Sequence, residues 1–142
     1  MPLTIITGIL LSLLIPITGL HTYWLLGGQW ALDACLPMYM DMLKKHYSSR
    51  VLLLLRFLFL APVVFLLCFL VLMLLSLIPS LIDYNKLIYT LFSYLCILRA
   101  MLGWCTFHFF IKKQRFLTNN TYIFSPLFLI IGLLFLGLCY LS

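Results

Sequence analysis

The chain has 142 residues, of which 65% are hydrophobic and 8% charged, and its mean hydropathy is +1.21. Nine Lys and Arg stand against three acidic residues, all Asp, giving a formal charge of +6. Soluble domains carry roughly 25% charged residues, so the composition excludes one and defines a membrane protein. The positive residues flank apolar runs and suit lipid headgroups, which excludes nucleic acid as the partner.

A membrane span needs about 20 mostly apolar residues, and with no water in the hydrocarbon layer each span must be helical. The first such run covers about 4–26. It ends in the stretch His21-Thr-Tyr-Trp-Leu-Leu-Gly-Gly-Gln-Trp30, where Gly27 and Gly28 suit a helix end that turns sharply. Tyr23, Trp24 and Trp30, with Trp104 further on, suit an aromatic belt at headgroup level. The segment Leu32-Asp-Ala-Cys35 resembles a lipoprotein cleavage box, but no basic segment precedes the run, which is expected to be a retained span.

The first loop, 27–50, is apolar for a linker. Pro37 opens an expected short helix ending in Lys44-Lys45-His46-Tyr47, interfacial or re-entrant and lying under the bundle. The later spans are expected at about 57–79, 88–110 and 122–141, with a loop at 111–121. Arg56 enters the second apolar run within snorkelling reach of the surface. Loops one and three carry the basic residues, Lys44, Lys45 and Arg50, then Lys112, Lys113 and Arg115. Both loops are therefore expected in the cytoplasm and both termini outside, in a bacterial inner membrane. The fold expected is all-α, an integral membrane four-helix bundle with an interfacial or re-entrant helix in its first loop, forming one domain over residues 1–142.

Arg99 stands at the middle of the third span, where an arginine costs roughly 2.5–3.5 kcal/mol on insertion scales and must face the bundle interior. Ser93, Cys96, Ala100 and Gly103 form a small-residue stripe on the same helix, which lets a neighbour approach closely. The candidate counter-ion is Asp33, isolated in the apolar stretch 30–37, reached directly or through water. The alternative is that Arg99 bonds carbonyls freed at Pro16 or Pro62 while Asp33 stays in water.

His21 and His108 fall at similar depth, yet two histidines without a third ligand at helical spacing define no metal site. The five cysteines show no paired spacing and read as small buried hydrophobes. No Glu, no Gly-flanked nucleophile elbow and no phosphate-cradling loop is present, so neither a catalytic residue nor a cofactor is assigned.

The blocks "HTYWLLGGQW" with Pro37, and "LRAMLGWCTFHFF" followed by "RFLTNNTYIFSPL", resemble a bacterial family of small four-span membrane proteins, domain of unknown function 3995. The resemblance covers all four spans. Its specific residues are His21, Tyr23, Trp24, Gly27, Gly28 and Trp30, then Arg99, Ala100, Phe109, Phe110, Phe116, Thr121, Ser125, Pro126 and Leu127. It implies an acidic residue a few positions after the arginine, where this chain has Gly103, and an Asp before the threonine, where it has Asn120. It implies fold and topology and carries no established activity.

The expected function is non-catalytic. A cytoplasmic-side pocket of His21, Tyr23, Trp24, Asp33, Arg99 and His108 would bind a lipid headgroup, a small anion or a partner membrane protein, a toxin in an immunity role included. Gly27, Gly28, Gly103 and Pro126 are structural in this reading, and homo-oligomers are permitted. The alternative is a small membrane enzyme or redox protein using His21 and His108 on a quinone, haem or lipid.

Overall fold

The computed structural model describes residues 2–35, 48–75, 82–105, 111 and 114–141. Its elements are α1 (Pro2–Leu25), α2 (Leu32–Cys35), α3 (Ser49–Leu74), α4 (Ile82–Cys105), α5 (Gln114–Asn119), a π-helical turn (Asn120–Phe124) and α6 (Ser125–Leu141). Four stretches are long and apolar enough to cross a membrane: Leu3–Leu25, Ser49–Leu74, Asn85–Cys105 and Gln114–Leu141. The protein is thus an all-α, four-span membrane protein.

Within these apolar helices several hydroxyls bond to carbonyls one turn earlier in their own helix. Thr18 and Thr22 donate to Leu14 O and Thr18 O at 2.7 and 2.8 Å, and Thr90 donates to Lys86 O at 2.8 Å. Such back-bonding is how a hydroxyl is tolerated where water is absent.

Three boundaries differ from the sequence reading. α3 begins at Ser49, not near 57, because Ser48 caps it, its Oγ accepting from Val51 N–H at 3.5 Å. α4 begins at Ile82, not near 88. The expected loop at 111–121 is helical from Gln114, so the fourth span is continuous through the π-helical turn.

That turn follows from Pro126. Its ring carries no N–H and clashes with the carbonyl four residues earlier, which a widened turn relieves. Ser125 N–H reaches back five residues to Asn120 O. In the same pattern Thr121 O would await an N–H that Pro126 lacks, and the Trp104 indole supplies one at 3.0 Å.

α4 lies along α6, and α1 packs against both α3 and α6. The small-residue stripe is buried here: Ser93, Cys96, Ala100 and Gly103 all lie inside. Opposite stands Gly132, whose carbonyl accepts from Ser93 Oγ at 2.7 Å. The apolar core gathers Leu10 and Leu14 of α1, Leu67, Leu70, Met73 and Leu74 of α3, and Phe135 of α6. Phe135 is its centre, with the Tyr89 and Phe92 rings at 5.5 and 5.1 Å. At the other end α2 meets α5, and Trp24, Leu32, Phe116 and Leu117 are buried. α2 is the helix described in the first loop; the one expected from Pro37 lies outside the described residues. Cys96 and Cys139 are buried, whereas Cys68 and Cys105 lie on outer faces, contrary to a reading of all cysteines as core.

Candidate functional site

Polar side chains concentrate at the end of the molecule where α1 finishes and α6 begins. Arg99 projects from α4 toward the π-helical turn, and its Nη2 donates to Asn120 Oδ1 at 2.9 Å. Asn120 is fully buried, and its Nδ2 donates in turn to Gly103 O at 2.7 Å, so one amide joins an arginine head to the backbone of its own helix. The Phe128 ring lies beneath the guanidinium, its centroid 5.2 Å from Cζ, within cation–π range.

Gly103 makes the close approach possible. A first side-chain carbon there would fall 2.7 Å from Arg99 Nη1 and 3.0 Å from Asn120 Nδ2, and would collide with Ser125 Oγ. The absence of a side chain at 103 is therefore a condition of the cluster. Ser125 is fully buried, and among the described residues its Oγ has no hydrogen-bond partner. A hydroxyl left so costs about 1–3 kcal/mol, so an acceptor or water at this point is favoured.

The turn after α1 takes the form its glycines suggest. Gly27 adopts φ +109°, and the N–H groups of Gly27 and Gly28 return to Trp24 O and Tyr23 O at 3.1 and 2.9 Å. A side chain at Gly28 would strike the Tyr23 ring. Tyr23 and Trp30 are exposed and line a groove of about 540 Å³ with Pro16, Gly19 and Leu20. Trp24 is not a belt residue: it is buried, and its Nε1 donates to Trp30 O at 2.8 Å, which holds the turn closed. Trp104 is half-buried, and its Nε1 donates to Thr121 O.

Of the residues singled out in the sequence, His21 stays within α1. Its Nδ1 lies 2.8 Å from Ile17 O, and its ring meets Trp24 edge-on at 5.0 Å. His108 and the side chain of Asp33 lie outside the described residues, and so does any meeting of either with Arg99. Among the described residues, no three His, Cys, Asp or Glu side chains gather where a metal would fit. Sequence reasoning missed the Asn120 contact. Its signal was a polar pair, Asn119-Asn120, followed by a proline that forces a widened turn.

Four apolar helices around a half-buried arginine, a buried amide and a buried hydroxyl define a small polytopic membrane protein with a polar centre inside one end. The family model described as "Protein of unknown function (DUF3995)" matches residues 14–135, and the chain belongs to that family. No curated protein and no solved structure matches it.

Proposed function

We propose that the protein is a non-catalytic protein of a bacterial cytoplasmic membrane that binds a phosphate-bearing anion at the Arg99 site, either a lipid headgroup or free phosphate. The basic loops lie in the cytoplasm and both termini outside, as the distribution of Lys and Arg favours. The observation that carries the reading is the Ser125 hydroxyl, fully buried beside Arg99 with no partner among the described residues. A guanidinium held in place by Asn120 and Phe128, next to a hydroxyl with a donor to give, is a pre-organised anion site. His21 takes the role of a helix-bonded interfacial residue, since its Nδ1 is engaged by its own backbone.

The test is unfolding of the purified full chain in mild detergent, with inorganic phosphate or phosphatidylglycerol added in separate arms. Stabilisation by one of them, weakened in Ser125→Ala and abolished in Arg99→Gln, supports the reading and identifies the source. No stabilisation in either arm means that water serves Ser125, and refutes it.

A further inference from the structure

The inner face of α3 is only half covered. Leu67, Leu70, Met73 and Leu74 are buried in the core. Stepping back along the same face by threes and fours leads to Leu66, Val63, Phe59 and Arg56. The three apolar residues are 41%, 39% and 68% exposed, although their continuation toward the C-terminus is core. The change falls beside Pro62, which withdraws a backbone donor from the helix there.

Arg56 ends this stripe. Its side chain is half-buried, it makes no hydrogen bond or ion pair among the described residues, and its Nη1 lies 3.5 Å from where a side chain on Gly27 would begin. The guanidinium therefore rests beside the α1 turn at Gly27. Depth also matters. The 26-residue α3 is about 39 Å long, roughly 9 Å more than the hydrocarbon layer. The excess belongs at the Ser48-Ser49-Arg50 end, since the other end runs into Leu74 and Leu75. Arg56 stands about 10 Å from Ser49 along the axis, so its backbone lies at the edge of the hydrocarbon layer and its side chain, directed toward the helix N-terminus, reaches the level of the lipid phosphates.

From this juxtaposition we infer that α3 carries a site for one anionic phospholipid, with its phosphate on Arg56 and an acyl chain along Phe59, Val63 and Leu66. A phospholipid supplies together an anion for a cation that has no ion pair among the described residues and an apolar chain for the exposed stripe. The inference goes beyond the Arg99 reading and does not depend on it.

Native mass spectrometry of the full chain tests it, from mild detergent supplemented with phosphatidylglycerol or, separately, phosphatidylcholine. The wild type is expected to retain one phosphatidylglycerol in preference to phosphatidylcholine. Arg56→Gln lowers that retention about fivefold, the equivalent of one cation near a membrane surface. Arg56→Lys restores it, and Ser125→Ala leaves it unchanged, which separates this site from the one at Arg99. Equal retention of both lipids, or an unchanged spectrum in Arg56→Gln, overturns the inference. So does a lipid-free dimer, which would make the stripe a contact between copies of the chain.

Discussion

Replacing Asn120 by alanine is the sharpest test of how the polar end is held. The amide is fully buried and makes two contacts, accepting from Arg99 Nη2 at 2.9 Å and donating to Gly103 O at 2.7 Å. Inside a membrane a hydrogen bond between helices is worth about 0.6 kcal/mol on average and up to about 1.7, the charge-assisted bond falling at the upper end. Losing both, and leaving a small void, amounts to about 2–3 kcal/mol. The assay is unfolding in mixed micelles titrated with a denaturing detergent, followed by far-ultraviolet circular dichroism. Gly8→Ala is the control, because a side chain there meets nothing within 4 Å. Asn120→Asp keeps the acceptor for Arg99 and loses the donor to Gly103 O, so it should fall between wild type and Asn120→Ala. The reasoning is wrong if Asn120→Leu, similar in size and without polarity, unfolds with the wild type.

Two further substitutions probe the α4–α6 seam. At Gly132 an added carbon would lie 2.8 Å from Ile97 Cγ1, 3.0 Å from Ser93 O and 3.2 Å from Cys96 Cβ, and the backbone oxygen cannot rotate away. Gly132→Ala should therefore destabilise by about 1–3 kcal/mol from overpacking, partly offset by the helix preference of alanine, about 1 kcal/mol; the same titration, set beside Gly8→Ala, reads the difference. Trp104→Phe removes the indole donor from Thr121 O and should cost about 0.6–1.7 kcal/mol. Its cost should shrink in a Pro126→Ala background, where the restored backbone N–H can serve that carbonyl, and a double-mutant cycle measures the coupling.

The spans and the small-residue stripe were legible in the sequence because each depends on local composition: a run of apolar residues, or Ser93, Cys96, Ala100 and Gly103 at 3-4-3 spacing. The turn at Gly27 and Gly28 was legible for the same reason. The Asn120 contact of Arg99 was not, because Asn120 is 21 residues away and only packing brings the two together. Insertion cost says that an arginine needs partners and does not say which, and a neutral amide 21 residues away carries no charge to mark it as one. Gln114–Asn120 read as a loop because its exposed polar residues, Gln114, Arg115 and Thr118, and its one buried polar residue, Asn120, look alike in one dimension. The Trp24 indole illustrates the same limit: it has the composition of a belt residue and the hydrogen bond of an interior one.

Apolar side chains gain little by leaving lipid for one another, so register in a membrane bundle has to come from close packing and polar contacts. Along α4 these occur in order. Ser93 meets Gly132, and farther along α4 Arg99, Gly103 and Trp104 meet Asn120 and Thr121, so from one end of the seam to the other the chain advances on one helix as it retreats on the other. That sequence of contacts fixes α4 and α6 antiparallel at one stagger, since a slip of one residue would break all of them. α3 has no counterpart: among the described residues its only side-chain hydrogen bond is the Ser48 cap at its own start. Among the described residues its buried side chains, Leu67, Leu70, Met73 and Leu74, all lie in its C-terminal half. A helix so held exchanges neighbours more readily than a register-locked pair, which makes α3, with Arg56 at its uncovered end, the surface on which an anionic phospholipid would be accepted.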